Sequence, residues 1–296
     1  MKLFLKNIIL VLIIILVITT GAFCYKIYSV RNAKWKIPER ANTILVGASG
    51  TGVMITEWHY PDLYSFWANS TSPFFSYIRL KKILNSDNPQ IKTAILEFSP
   101  FFASGNYDAV ILEDGSSFQL FSRYVALFNR EQSDYYLSHY GSFFKMLSKG
   151  SIMSIAIGDN ISKKNNRDVQ KVTTKVMADD TKYAYIEKFN ARYNAYNYFG
   201  NKVSLNYLRK SIDLCHENNI EVALITAPVI KEAYKLYGDN PVEILNDLHE
   251  KYFSDVSYYN FLLLDLPESW YYNADHLNDS GAEYVSKLLY SKMSDK

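Results

Sequence analysis

Ile44-Leu-Val-Gly-Ala-Ser-Gly-Thr-Gly52 joins a short apolar run to a turn made of small residues. The apolar run, over Thr43–Gly47, has the length and the bounding turn residues of a buried parallel strand. A small-residue turn at the end of such a strand would expose the hydroxyl of Ser49, which is the placement that a nucleophilic serine needs. The stretch therefore predicts the first strand of an α/β sheet, with a serine directly after it.

Similar apolar runs recur along the chain and alternate with segments of helical periodicity. Further strands are predicted at Thr93–Phe98, Glu221–Thr226 and Phe261–Leu266. Helices are predicted at Phe75–Leu84, Lys202–Asn219, Val242–Phe253 and Ser280–Met293. This alternation predicts an α/β fold, a three-layer sandwich in which helices cover both faces of a mostly parallel sheet.

The stretch from about 104 to 198 interrupts the alternation. It is rich in Tyr, Phe, Ser and Asn, with helical periodicity at Phe118–Phe128 and Tyr135–Leu147 and a polar tract at Ser162–Thr174. We interpret it as a helical insertion between the second and third strands of one α/β domain that spans 42–296.

The N-terminus carries a hydrophobic segment of nineteen uncharged residues, Asn7–Tyr25, between Lys6 and Lys26. This is about the length that crosses a bilayer as a helix. Thr20-Gly21-Ala22 would serve as a signal-peptidase site, but the run is longer than an ordinary signal-peptide core. The sequence favours an uncleaved anchor over 1–25, followed by a juxtamembrane linker over 26–41.

The orientation of this anchor is not settled by charge, because lysines and arginines flank the helix on both sides. A very short basic N-terminus before a single helix is the usual geometry of export. We therefore expect a single-pass membrane protein with a cytoplasmic N-terminus and an extracytoplasmic α/β domain.

Composition excludes some classes of partner. The net charge of +2 is spread along the chain with no basic block, which argues against nucleic-acid binding. The 25 tyrosines suit a surface that stacks on sugars or meets a protein partner, although packing in the core or at half-buried positions is the favoured interpretation for any single one. Cys24 and Cys215 are the only cysteines, and the other histidines lack ligand spacing, so neither a disulfide nor a metal site is expected.

A second motif, Asn273-Ala-Asp-His276, stands just before the last predicted helix. In an open α/β sheet the loops after each strand meet at the carboxyl ends of the strands, an edge we call the rim. Ser49, Ser99 and His276 would share that rim. Considered alone, Ser49 is more simply interpreted as an incidental hydroxyl in a turn, and His276 as a histidine that caps a helix. Because the two residues occur together at opposite ends of a β/α chain, they indicate a functional site.

These segments resemble the SGNH/GDSL hydrolase superfamily, and in particular its membrane-anchored bacterial cell-envelope branch, related to DltD-type and alginate-acetylation proteins. The resemblance is carried by the serine turn, Asn69-Ser-Thr-Ser, NPQIKTAILEFS, CHENNIEVALITAP and ADHLNDSGA. It implies an SGNH-like, flavodoxin-like sheet. The stretch from 104 to 198 has no counterpart in this resemblance.

The resemblance also implies roles for individual residues. Ser49 matches the nucleophile and His276 the base, while the aspartate that orients the base in the family's DxxH motif is replaced by Asn273. Asp275 could substitute, although adjacent side chains in a loop seldom point the same way. Ala48 and Gly50 depart from the family's serine turn. Gly50, Asn69 and Ser99 are the candidates for the oxyanion hole or substrate binding, and no cofactor is implied.

Two functions follow as expectations. The first is transfer of an acyl group such as acetyl, or ester hydrolysis, on a cell-envelope glycan or acylated polymer. The second is a catalytically degenerate SGNH fold that binds glycan or assists assembly beside a polytopic membrane acyltransferase, which the altered motif favours. The two are distinguished by whether Ser49 Oγ lies within hydrogen-bond reach of a nitrogen of His276.

Overall fold

The computed structural model describes residues 2–69, 71–103, 109–112, 117–148, 150, 155, 202–234 and 240–294. These belong to two units, one drawn from 1–35 and 111–165 and the other from 36–110 and 166–296. The polar tract predicted at Ser162–Thr174 lies outside the described residues.

The larger unit is built on a sheet of five parallel strands. They are β1 Thr43–Val46, β2 Leu63–Ser65, β3 Thr93–Glu97, β4 Glu221–Thr226 and β5 Ser257–Asn260. Their order across the sheet is β2-β1-β3-β4-β5. This is the flavodoxin-like order of a doubly wound sheet, so the predicted α/β fold class is confirmed. The order reverses between β1 and β3, the place where such sheets form a crevice at their carboxyl ends.

The three strands in the middle of the sheet are buried because helices cover it. Ile44 and Leu45 on β1 and Ala94 and Ile95 on β3 are completely inaccessible to solvent. This is why the sequence shows continuous apolar runs at these strands instead of alternation. These central strands form the rigid base from which the rim loops project.

Helices of the larger unit flank the sheet. They are α2 Ser49–Met54, α3 Pro73–Leu84, α4 Pro100–Ala103, α9 Lys202–Glu217, α10 Lys231–Tyr234, α11 Pro241–Phe253 and α12 Asp279–Ser294. Helices α3 and α9 pack together, with the rings of Phe74 and Tyr207 4.8 Å apart. Helix α12 packs on α2, where the Ser286 hydroxyl donates to the carbonyl of Met54 at 3.1 Å.

One predicted strand is wrong, and neither edge strand of the sheet was predicted. The last strand is Ser257–Asn260, not Phe261–Leu266. An edge strand is covered less than a central one, so its half-buried Ser-Tyr-Tyr-Asn carries no apolar run. The more hydrophobic residues after it form a turn in which Phe261 and Leu262 are buried. The other edge strand, β2, has three residues and is too short to show a period.

The smaller unit contains the N-terminal helix and part of the predicted insertion. Its elements are α1 Lys2–Asn32, α6 Ser117–Tyr124, a 3-10 turn at Val125–Leu127, α7 Arg130–Ser138 and α8 Tyr140–Ser148. A further short helix, α5 Ala109–Leu112, lies where the chain passes from one unit to the other. The second predicted helical segment, Tyr135–Leu147, is thus two helices that meet at His139.

Helix α1 is long and apolar enough over Phe4–Asn32 to cross a membrane, and an 18-residue stretch of it has a mean hydropathy of 2.8. A helix of this kind at an N-terminus is either a membrane anchor or a signal sequence. It continues past the predicted segment 1–25 and ends at Asn32, so the first part of the predicted linker is helical.

Candidate functional site

Ser49 stands at a sharp change of direction between β1 and α2. Strand β1 ends at Val46, Ala48 takes an extended conformation as the residue that caps α2, and Ser49 is the first residue of that helix. The side chain of Ser49 is half-buried at the rim. The predicted strand, the small-residue turn and the serine after it are therefore all present, although the serine is half-buried and not fully exposed.

A buried carboxylate on the neighbouring strand fixes this turn. Glu97 ends β3, is 6% exposed, and accepts hydrogen bonds at Oε2 from the Ala48 amide at 2.6 Å and the Thr51 hydroxyl at 2.7 Å. Gly47 is required beside it, because a Cβ there would lie 2.5 Å from Thr51 Oγ1 and 2.9 Å from Glu97 Oε2. Glu97 therefore holds the backbone on which Ser49 is mounted.

Sequence reasoning did not assign this role to Glu97, although a signal existed. A carboxylate at the carboxyl end of an otherwise apolar strand has no ordinary reason to be buried. Strand β3 also lies beside β1 at the point where the strand order reverses. Together these two observations would have placed a carboxylate next to the serine turn.

His276 is presented by a small hairpin ahead of α12. Strands β6 Tyr271–Asn273 and β7 His276–Leu277 pair antiparallel, with Asn273 opposite His276. The tip of the hairpin is held in place because the Ala274 carbonyl accepts from the Ile230 amide at 3.1 Å. A short connection and a fixed tip leave the imidazole little freedom to move away from its partners.

The structure brings Ser49 and His276 into direct contact. His276 Nε2 lies 2.9 Å from Ser49 Oγ. On the other side of the ring, His276 Nδ1 lies 2.6 Å from Asp275 Oδ1 and 3.0 Å from Asn273 Oδ1. Because both groups facing Nδ1 are acceptors, we infer that the proton is on Nδ1 and that Nε2 accepts from the serine hydroxyl.

Asn273 shapes the loop so that its neighbour can reach the histidine. Its Oδ1 accepts from the Asp275 amide at 3.1 Å, closing an Asx turn that also fixes which way the Asn273 amide points. The turn brings the Asp275 carboxylate to Nδ1, against the usual tendency of adjacent side chains to diverge. The charged partner of His276 Nδ1 is thus the residue directly before the histidine.

The charges around His276 set its basicity. Burial of the ring lowers the pKa of His276, but the carboxylate of Asp275, aided by Glu97, raises that pKa above its ordinary value. Burial raises the pKa of Glu97, and this is opposed by the hydrogen bonds from Thr51 and Ala48 and by the charge of His276. A more basic imidazole is better able to take the hydroxyl proton of Ser49.

The three residues predicted for the oxyanion hole are placed unequally. Gly50 follows Ser49 in the first turn of α2, and a methyl group there would lie 3.8 Å from the Asp275 carbonyl oxygen. Asn69 is exposed, and within the described chain no hydrogen bond joins it to Ser49 or His276. The Ser99 hydroxyl is buried beside Glu97 and makes no hydrogen bond of normal geometry with a described residue.

A cavity of about 140 Å³ borders the hairpin that carries His276. Val229, Ile230, Leu263 and Tyr271 give it an apolar lining, and Lys231 and Glu232 add charge. The Tyr271 hydroxyl donates to the Val229 carbonyl at 3.4 Å and joins the cavity wall to β6.

Within the described ranges, no three His, Cys, Asp or Glu side chains are close enough to share a metal ion.

Comparison with known proteins finds similarity to solved structures. No protein-family model and no curated protein matches the chain. Its structure is similar to that of a Bacteroides fragilis protein provisionally described as an acylhydrolase. The TM-score is 0.40 at 8% sequence identity, over 92% of this chain and 94% of the other.

Proposed function

We propose that this chain is a membrane-anchored serine enzyme of the SGNH type that transfers or hydrolyses an acyl group on a cell-envelope glycan. The observation that carries the proposal is the 2.9 Å contact between Ser49 Oγ and His276 Nε2. A serine and a histidine 227 residues apart meet at the rim, with a carboxylate on the far side of the imidazole. This arrangement of nucleophile, base and orienting group is the one that activates serine for acyl transfer.

The proposed reaction begins with attack of Ser49 Oγ on the carbonyl carbon of an ester. His276 Nε2 takes the hydroxyl proton, and Asp275 stabilises the imidazolium that forms. As the tetrahedral intermediate collapses, His276 returns that proton to the departing alcohol and leaves an acyl-serine. Water or a glycan hydroxyl then gives its proton to His276 and attacks the acyl-serine. As the bond to Ser49 Oγ breaks, His276 passes that proton to Oγ, which restores the serine hydroxyl and releases the acid or the acylated glycan.

The oxyanion would be held by backbone amides at the start of α2. The first amides of a helix have no acceptor within the helix, and here those of Ser49 and Gly50 lie next to the reacting oxygen. Two such donors would stabilise the charge that develops on the carbonyl oxygen. Asn69 remains a candidate for a further donor from the neighbouring loop.

The proposed location and substrate rest on separate support. Helix α1 suits a membrane anchor. A glycan or acylated polymer presents many hydroxyl groups, which are the acceptors that an acyl-serine can use. Exposed tyrosines of the larger unit provide rings on which sugars can stack: Tyr252, Tyr272, Tyr284 and Tyr290.

A second function is favoured by the altered motif. Ala48, Gly50 and Asn273 depart from the family's catalytic pattern. In addition, neither Asn69 nor Ser99 hydrogen-bonds the serine or the histidine within the described chain. Both observations fit a degenerate SGNH fold that binds glycan beside a polytopic membrane acyltransferase.

The deciding experiment is labelling of the purified full chain in detergent with a fluorescent fluorophosphonate, which reacts with activated serines. Ser49→Ala and His276→Ala are compared with two controls, Ser254→Ala at the exposed end of α11 and His216→Ala at the exposed end of α9. Circular dichroism establishes that each protein is folded.

Catalysis predicts labelling of the parent and both controls, and loss of labelling in the Ser49 and His276 variants. A folded parent that remains unlabelled would refute the enzyme and leave the glycan-binding subunit as the function. Labelling that survives Ser49→Ala would show that another serine reacts and would refute the assigned site.

A further inference from the structure

The end of α1 is bonded to the helical segment 117–148. Lys26 is 7% exposed, and its Nζ donates to the carbonyls of Ser122 at 2.9 Å and Ile155 at 2.7 Å. One turn further along α1, the Arg31 guanidinium donates to the carbonyls of Ala126 at 2.9 Å and Phe128 at 3.0 Å. Unpaired carbonyls collect at helix C-termini and attract cations, so the two side chains cap α6 and the 3-10 turn.

The position of Lys26 along α1 also indicates where the membrane-spanning part of the helix would end. The nineteen uncharged residues before it span about 29 Å as a helix, close to the thickness of the hydrocarbon core. A lysine at that height ordinarily extends its ammonium group to the lipid headgroups. Here protein carbonyls receive it instead, so the segment around Ser122 occupies the headgroup level beside the anchor.

Helix α8 presents more apolar surface than the packing within its unit covers. Met146 is completely buried, and the ring of Phe143 lies 5.3 Å from that of Phe121, directly before Ser122. Tyr140 and Phe144, four residues apart on one face, are 69% and 65% exposed. Leu137, at the end of α7, is 63% exposed.

These apolar side chains lie close to the level that Lys26 marks. The rings of Phe143 and Phe144 are 6.0 Å apart, so two ring contacts connect the exposed Phe144 to Phe121, next to the carbonyl that Lys26 binds. The exposed apolar face of α8 therefore lies next to the end of the part of α1 that would span the hydrocarbon core. Because the two are adjacent, the molecule expected to cover this face is membrane lipid.

We propose that Leu137, Tyr140 and Phe144 insert into the interfacial region of the leaflet at which α1 ends, so that 117–148 forms a membrane-surface collar around the anchor. Aromatic and aliphatic side chains on one face of a short helix are typical of interfacial helices. The exposed Lys145 next to Phe144 supplies a charge that suits anionic headgroups. The collar depends on α1 being retained as an anchor and is independent of any acyl chemistry.

Spin-label accessibility in reconstituted protein tests the collar. The full chain, with Cys24→Ser to remove its exposed cysteine, is placed in phosphatidylcholine–phosphatidylglycerol vesicles and labelled with a nitroxide at Phe144→Cys. The control is Gly141→Cys, on the side of α8 that carries Lys145 one turn later, where an added side chain meets nothing within 4 Å. Relaxation of each nitroxide by oxygen, which concentrates in lipid, is compared with relaxation by a water-soluble nickel chelate.

The collar predicts an oxygen-to-nickel accessibility ratio several-fold higher at position 144 than at 141. Equal ratios would place α8 in water, and low accessibility to both reagents at 144 would show that protein covers the face; either result overturns the proposal. Tyr140→Cys repeats the measurement if the Phe144 variant misfolds. A purified chain whose intact mass lacks the N-terminal helix would also overturn it, whereas the Ser49→Ala background should leave the ratio unchanged.

Discussion

At the scale of single residues, the site differs from the pattern of its suggested family in where the orienting charge comes from. His276 Nδ1 faces Asp275 at 2.6 Å and Asn273 at 3.0 Å, and only the first carries a charge. Asn273 shapes the loop by accepting the Asp275 amide. The two residues therefore divide between them what one aspartate does in a DxxH motif.

This division predicts unequal effects of mutation. Asp275→Asn removes the charge that stabilises the imidazolium and should slow fluorophosphonate labelling by about 10⁴-fold, the loss seen when a triad aspartate becomes asparagine. Asn273→Ala keeps the charge and should slow labelling much less. A larger loss in Asn273→Ala than in Asp275→Asn would assign the orienting role to Asn273.

Glu97 predicts a contrast between two substitutions. Glu97→Ala leaves the Ala48 amide and the Thr51 hydroxyl without their acceptor, which should cost about 1–3 kcal/mol of unfolding free energy and slow labelling. Glu97→Gln keeps an oxygen that accepts from both donors, so this variant should retain most of the unfolding free energy and most of the labelling rate. Urea unfolding and labelling rates measure the two effects, and equal losses in the two variants would contradict the role as an acceptor.

The raised pKa of His276 predicts a pH dependence with a definite sign. His276 accepts the serine proton only when Nε2 is unprotonated, so labelling should fall as pH is lowered through a pKa above the 6.5 of an ordinary histidine. Asp275→Asn removes the main cause of the raised His276 pKa, so the labelling rate of this variant should fall at a lower pH than that of the parent. Labelling rates measured across the range in which histidine titrates test the shift, and an unchanged midpoint in the variant would refute the coupling.

At the scale of elements, the position of Ser49 depends on the carboxyl ends of two parallel strands that lie side by side. The turn after β1 and the last residue of β3 are joined through Glu97, and Gly47 allows them to approach. No part of this arrangement comes from a helix or strand alone. The turn between β1 and α2 should therefore tolerate little added volume.

Gly47→Ala tests this tolerance. The added methyl would lie 2.5 Å from Thr51 Oγ1, so the turn must shift, and a displacement near 1 Å at a reacting centre costs about 10²-fold in rate. Gly141→Ala, in open space on α8, is the matched control and should leave labelling unchanged. Normal labelling of a folded Gly47→Ala protein would show that the turn accommodates the added methyl group without displacing Ser49.

At the scale of the whole molecule, the central strands and the main helices of the larger unit could be predicted because burial imposes a pattern on them. The pairing of Ser49 with His276 could also be expected, since parallel strands place their following loops on one rim. Strand β5 could not, because an edge strand half-covered by protein has no apolar run to reveal it. The contact of Asp275 with His276 depends on an Asx turn, a detail of loop geometry that spacing does not encode.

The membrane role of the molecule also has a direct test. If α1 is an uncleaved anchor, the full chain should remain with the membrane fraction after extraction with alkaline carbonate, which strips peripheral proteins. The intact mass of the extracted protein should include the N-terminal helix. Release of the chain into the carbonate supernatant would identify α1 as a signal sequence or as a packed helix.

The separation of the two reacting side chains along the chain has a temporal consequence. Ser49 precedes His276 by 227 residues in the chain. A ribosome must therefore have synthesised the whole stretch between them, and the hairpin that carries His276 must have closed, before the serine meets the histidine. A translation product that ends before His276 would carry the serine of the proposed mechanism without the group that is proposed to activate it.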